Sequence, residues 1–201
     1  MQAPNEVREP SEVVLEFANT HADGGGRPER FGDAAGLRSW LEQVTWLDLR
    51  PETGGPTTLT DADALEALQL RDALVTVLLT HSDDPNLDNS AATEAEALLR
   101  RATQRYPMTA DIDRHGARLW PLQDGLPGVL GRVLACMAEL SLAGQWARVK
   151  ACRNPPCHFA FFDKTRNTSA GYCSPQCASQ ASMRAYRARK KAAKASGTET
   201  V

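Results

Sequence analysis

The sequence predicts a mainly α fold with a small β element, in which a helical N-terminal domain over residues 1–150 precedes a small module over residues 151–195. Three observations support this prediction. Apolar residues recur at helical spacing through most of the first 150 positions, one stretch shows weak alternation, and four of the five cysteines lie in the last fifty residues. Apolar content of 42% and charged content of 24% are typical of a globular chain that buries a core.

The charge is divided unevenly between the two parts. Residues 1–147 contain 12 Lys/Arg and 23 Asp/Glu, whereas residues 148–194 contain 11 Lys/Arg and a single acid, Asp163. The formal net charge of −2 therefore conceals an acidic first part and a basic second part.

Three elements are predicted in the first eighty residues. Residues 11–20 are apolar with an ambiguous period and form either a short helix or a strand, followed by a loop. Residues 33–47 carry apolar side chains at i, i+3, i+4 and i+7, which predicts a helix with one buried face. The strongest helix pattern covers residues 60–81, where Thr60 can cap and Asp63 occupies the capping-box position.

Three further elements follow before the cysteines. Residues 89–105 read as a helix with Asn89 or Ser90 as its cap. Residues 108–122 show the weak alternation of a small β-hairpin. Residues 126–151 are predicted to form the last long helix, because apolar residues recur along it until an Asn-Pro-Pro sequence.

No apolar run approaches the roughly 18 to 20 residues that cross a bilayer. Residues 1–9 have neither the basic nor the hydrophobic region of a signal peptide. We therefore expect a cytoplasmic protein without a membrane partner. In that reducing compartment, paired cysteines are more often metal ligands or redox groups than disulfides.

Four cysteines have the spacing of a metal site. Cys152 and Cys157 are separated by four residues, Cys173 and Cys177 by three, and the two pairs by fifteen. A loop of this length can bring both pairs to one tetrahedral Zn²⁺. Four thiolates leave no open coordination position, so the zinc is expected to be structural, and a module this small needs such a staple.

Other interpretations of these groups stay open. Two disulfides fit poorly with a cytoplasmic setting and a fifth cysteine, and the spacing is unlike redox pairs or iron–sulfur clusters. His158 could replace one thiolate, whereas Cys136 is expected to be a buried apolar residue. The remaining histidines lack a nucleophile at motif spacing, so no catalytic residue is predicted and the chain is expected not to be an enzyme.

An alanine-rich, basic helix is predicted from Ser179 onward. Its candidate nucleic-acid-binding residues are Arg184, Arg187, Lys191 and Lys194, which form one stripe, and the flanking Arg189 and Lys190. If four side chains neutralise phosphates on duplex DNA, the log–log salt slope should be about −3.6. A solubilising tail, or a helix that binds an acidic protein surface, would have the same composition.

Residues 152–189 resemble the CGNR zinc finger. The resemblance rests on the two cysteine pairs around Phe161-Phe162-Asp163-Lys164-Thr165-Arg166-Asn167 and on the basic helix that follows. Phe17-Ala18-Asn19-Thr20 is similar to a signature of the ABATE domain, which precedes this finger in a family described as stress-induced transcription regulators. The resemblance implies zinc on the four cysteines and DNA binding by the finger and its helix.

The chain departs from the family pattern at three places, and the first is a final cysteine pair that is one residue tighter than in the family. Cys177-Ala178-Ser179-Gln180 stands where the finger has Cys-Gly-Asn-Arg, and Ala170-Gly171 replaces a pair of arginines. We therefore expect zinc binding to be kept, whereas base contacts by the missing arginines do not carry over.

The functional hypothesis is a DNA-binding transcription regulator with a structural zinc module held by four cysteines. Its N-terminal domain would sense a small-molecule ligand or form a homo-oligomer. The alternative hypothesis is a zinc-stabilised protein-interaction adaptor that does not bind DNA directly.

Overall fold

The computed structural model describes residues 8–23, 26–44, 58–114 and 116–196. The helices of these residues are α1 Pro10–Ala18, α2 Ala34–Gln43, α3 Asp61–His81, α4 Asn89–Arg105, α5 Gly125–Leu142 and α6 Pro175–Ser196. The strands are β1 Met108–Asp113, β2 Gly116–Pro121, β3 Val149–Ala151 and β4 Ala160–Phe162. The predicted fold class, mainly α with a small β element, is confirmed.

The helix starts follow from local capping. Pro10 begins α1, which settles the choice between helix and strand for this segment. The capping box predicted for α3 is present, since Thr60 and Asp63 satisfy each other's backbone N–H groups. The cap of α4 is Asp88, whose carboxylate accepts from Ser90 N–H at 3.1 Å, one residue before the predicted caps. The predicted end of α2, beyond residue 44, lies outside the described residues.

The hairpin is also confirmed. Strands β1 and β2 pair antiparallel from Met108 opposite Pro121 to Asp113 opposite Gly116. This ribbon packs beside α5, where Leu119 N–H donates to Glu139 at 2.9 Å.

The predicted helix over residues 126–151 was wrong at its C-terminal end. Helix α5 stops at Leu142, because Gly144 adopts φ +66° and the N–H of Gln145 turns back to Leu140 O at 2.8 Å. The chain then passes through a short turn into β3, which pairs antiparallel with β4. The basic residues from Arg148 onward therefore do not lie at the C-terminal end of α5.

The core is built around α5, which contacts α1 and the hairpin. Helix α5 is long and apolar enough to span a bilayer by composition, but 61% of it is buried inside this fold. Strand β3 lies in the same core, with Val149 and Ala151 fully buried against α3. A strand pair thus crosses the domain boundary predicted at residue 150, which stays a prediction.

Candidate metal centre and basic helix

The four predicted ligand cysteines come together at one point. Their sulfur atoms all lie within 4.8 Å of one another. Cys173 Sγ is 3.8 Å from Cys157 Sγ and 3.7 Å from Cys177 Sγ. Four sulfurs at about 2.3 Å from a tetrahedral zinc would be about 3.8 Å apart, which matches these two separations.

Three of the four cysteines lie beside or within a defined strand, turn or helix. Cys152 directly follows β3, and the N–H of Cys157 donates to Asn154 O at 2.8 Å in the next turn. Cys177 lies in the first turn of α6, where its N–H donates to the hydroxyl of Ser174 at 3.2 Å. One candidate metal ligand is therefore an integral part of the basic helix.

The pKa values of the cysteines reflect their burial and their closeness to one another. Burial raises the pKa of Cys152 to about 11, and burial with the neighbouring thiolates raises that of Cys173. Burial also acts to raise the pKa of Cys177, but hydrogen bonds from Ser174 and Asn154 outweigh it and lower the value to about 7. Four thiolates this close repel one another, and a bound dication would remove that penalty.

The loop between the cysteine pairs is ordered by a buried carboxylate. Asp163 accepts from Lys150 Nζ, from the N–H and hydroxyl of Thr165, and from Ala170 N–H, at 2.6 to 2.9 Å. Burial raises the pKa of this carboxyl, but the bonds from Thr165 and Lys150 outweigh it and hold the pKa below its usual range. Asp163 and Thr165 thus shape the loop, whereas Asn167 is exposed.

Side chains of the helical part also contact residues 152–160, which we call the metal loop. The sequence patterns did not predict these contacts. Asn19 exchanges two hydrogen bonds with the backbone of Ala160, and Arg27 donates to Cys157 O at 2.9 Å. Asn154 joins the loop to α6, because its amide donates to Gln180 at 3.0 Å and its oxygen accepts from Arg184. The asparagine of the Phe-x-Asn-Thr signature was the one available hint.

The predicted nucleic-acid-binding residues all lie on α6. The side chains of Arg184, Arg187, Arg189, Lys190, Lys191 and Lys194 are exposed. Arg184 differs from the other predicted residues near it because its guanidinium is turned back onto Asn154. The assignment of these six residues to nucleic acid stays a prediction.

The fifth cysteine and the described histidines lie in the core or against backbone carbonyls. Cys136 is fully buried in α5, and burial raises the pKa of its thiol to about 12, as an inert core residue requires. His21 lies against Ala18 O and Arg27, and His81 lies 2.8 Å from Val149 O. His158 adjoins the cluster, but the four-residue metal group consists of cysteines alone. His115 lies outside the described residues.

Two family models match the chain. The ABATE family, described as "Putative stress-induced transcription regulator", matches residues 11–144, which is more than half of the chain. The CGNR zinc finger matches residues 148–190 and so includes all four cysteines and most of α6. No curated protein matches the chain.

Proposed function

Since the chain belongs to the ABATE family and carries a CGNR zinc finger, we propose that it is a DNA-binding transcription regulator whose cysteine quartet binds structural Zn²⁺. The observation that carries the proposal is the position of Cys177. It is one of four sulfurs within 4.8 Å of one another and also a first-turn residue of the basic helix. A zinc ion there would fix the first turn of α6, the N-terminal end of the helix, to the rest of the protein.

The helix beyond that first turn is suited to phosphate. Every described side chain from residue 182 to 194 is exposed, and the sequence of α6 contains no acidic residue. A basic, exposed helix neutralises DNA phosphates and releases counterions, which gives affinity without base sequence. The zinc site supplies the rigidity, and α6 supplies the charge.

One position of the missing Gly-Asn-Arg has another role in this chain. Gln180, at the arginine position, accepts from Asn154, and Arg184 one turn later donates to the same side chain. These residues brace α6 against the metal loop. We therefore propose phosphate contacts as the main source of affinity, with any base readout carried by residues further along α6.

Binding of a duplex oligonucleotide, measured by fluorescence anisotropy over a series of salt concentrations, tests the proposal. Replacing Arg187, Lys190 and Lys191 with Ala should weaken binding to all sequences and reduce the salt slope by about one unit per lost phosphate contact. The matched control replaces Arg38, Arg100 and Arg101 with Ala, which removes the same charge from the helical part. Equal slopes for both triple variants, or no binding at ~50 mM salt, would contradict the proposal.

Two exposed apolar side chains favour a second candidate, a protein-interaction adaptor. Met183 and Tyr186 are 51% and 54% exposed on α6, and such residues are enriched at protein interfaces. This function predicts a protein partner that is retained after nuclease treatment, together with no binding of duplex DNA. Met183→Ala and Tyr186→Ala would then release the partner.

The helical part would supply regulation. Between α3 and α4 lies an open groove of about 600 Å³, lined by Ala73, Ala95 and Leu98 among others, that could admit a small molecule or a second copy.

We propose a cytoplasmic location, where the reduced thiols can hold zinc, and no catalytic role. Binding screens with the full chain and its molar mass in solution test these points.

A further inference from the structure

Two side chains from the start of the chain hold the loop that carries Cys157. The Asn19 amide donates from Nδ2 to Ala160 O at 3.0 Å, and Ala160 N–H donates to Asn19 Oδ1 at 2.7 Å. This two-point match satisfies both backbone groups of Ala160, the first residue of β4. It joins positions 141 residues apart in the chain.

Arg27 provides the second point of contact. Its Nη2 donates to Cys157 O at 2.9 Å, its Nε donates to His21 O at 2.7 Å, and its guanidinium lies 5.1 Å from the ring centre of Phe159. The His21 ring lies with Nδ1 2.8 Å from Ala18 O, and with Nε2 3.0 Å from Arg27 Nη2 and 3.1 Å from Cys157 O. We refer to Asn19, His21 and Arg27 as the N-terminal clamp.

The clamp acts on a metal ligand and on its supports. The clamp contacts the carbonyl oxygen of Cys157, the ring of Phe159 and the backbone of Ala160. Phe159 O in turn accepts from Cys152 N–H at 2.9 Å, which connects the first two ligands. The carbonyl of a ligand residue and the register of the strand behind it are thus both set by the helical part.

We propose that the N-terminal clamp belongs to the metal site, and that Asn19 and Arg27 are positioning residues that set the affinity of the cysteine quartet for zinc. The inference rests on the zinc binding proposed above. A ligand loop that is held in place before binding loses less conformational freedom when the ion binds. Groups that orient metal ligands typically change affinity by about 10- to 100-fold when they are removed.

The clamp also links the two parts of the chain thermodynamically. If its contacts favour bound zinc, bound zinc must stabilise the clamp by the same factor. Loss of zinc would then loosen the segment around Asn19 as well as the finger. A change in the helical part that displaces Asn19 or Arg27 would in turn weaken zinc binding.

The test compares the zinc affinity of full-length variants, measured by competition with a chromophoric chelator. Asn19→Ala and Arg27→Ala should bind zinc at least tenfold more weakly than the wild type, and should release it faster. Two matched controls, Asn86→Ala and Arg30→Ala, remove side chains of the same types whose hydrogen bonds are exposed, and should keep wild-type affinity. The absorption spectrum of bound Co²⁺ reports the thiolate geometry and should change in the clamp variants alone.

Arg27→Lys separates geometry from charge and also serves if Asn19→Ala fails to fold. It keeps the positive charge but cannot bridge Cys157 O and His21 O as the guanidinium does. Affinity as weak as that of Arg27→Ala supports the clamp. Wild-type affinity in Arg27→Lys, or in both alanine variants, overturns the inference and leaves the proposed function standing. A wild-type protein that binds no zinc overturns the proposed function, and the inference with it.

Discussion

Lys150 and Asp163 form an ion pair with a separation of 2.9 Å between side chains that are 3% and 0% exposed. Lys150 is the central residue of β3, and its ammonium group also donates to the carbonyls of Thr168 and Ala170. The ion pair therefore holds the loop between the two pairs of cysteines. If one partner of such a buried ion pair is removed, the other charge stays buried without a counter-charge, which destabilises the folded protein.

Removing one partner should therefore be costly. Asp163→Ala leaves the Lys150 ammonium buried without a carboxylate, and we expect the free energy of unfolding to fall by about 3 to 5 kcal/mol. Chemical denaturation of the zinc-loaded protein measures this change. The control, Asp111→Ala, removes an exposed acid of β1 and should change stability by no more than about 0.5 kcal/mol. Equal stability of the two variants would show that the pair has no structural role.

Loss of zinc should affect the whole protein. Sequence reasoning expects Cys173→Ser to unfold residues 152–190 and leave the helical part's thermal transition in place. In the structure, Ser82 donates to Ala151 O at 2.6 Å, and buried β3 shares the core of the helical part. We therefore expect one calorimetric transition, lowered by roughly 10 °C or more in Cys173→Ser.

A chelator provides the control for that variant. It should lower the transition of the wild type and leave Cys173→Ser unchanged, because the variant has no zinc to lose. Two separate transitions in the variant, with the upper one at the wild-type temperature, would instead show that the two parts fold independently.

Arg184 and Arg187 should behave differently although both lie on α6. Arg184 donates to Asn154, which also holds Gln180, so Arg184→Ala should lower thermal stability and loosen the N-terminal end of the helix. Arg187→Ala should leave the melting temperature unchanged and reduce the salt slope of DNA binding by about one. Calorimetry and anisotropy on the same samples separate the two effects. Identical behaviour of both variants would remove the distinction.

Gly36 is required by a close backbone contact. A Cβ atom there would lie 2.5 Å from Arg30 O, within the first turn of α2. Gly36→Ala should destabilise the protein by about 1 to 3 kcal/mol, because the backbone must move to relieve the clash. Gly32→Ala is the matched control, since its nearest atom would be 3.8 Å away. Urea midpoints compare them, and equal midpoints would refute the steric argument.

Sequence patterns predicted the features that depend on local spacing. The capping box of α3 and the cysteine quartet are both readable from neighbouring residues. The end of α5 was missed because Trp146 and Val149 continue the apolar spacing of the helix, although Gly144 offered a stop signal. Local apolar spacing does not distinguish the last turn of a helix from a short buried strand.

The contacts that hold the metal loop could not be predicted in the same way. Asn19 and Ala160 are 141 residues apart, and neither position has a local pattern that names its partner. Lys150 falls near the end of the helix predicted over residues 126–151, whereas in the structure its side chain is buried and paired with Asp163. Such pairings depend on how β3 and β4 enter the core, which only the folded chain shows.

In the proposed function, four cysteines hold the basic helix α6 in position to contact DNA. The most direct measurement is a genome-wide pull-down of DNA bound by the tagged full-length protein, compared with Cys173→Ser and with the Arg187, Lys190 and Lys191 triple variant. We expect the wild type to recover DNA and both variants to recover much less of it. Equal recovery of DNA by all three proteins would contradict the proposed function.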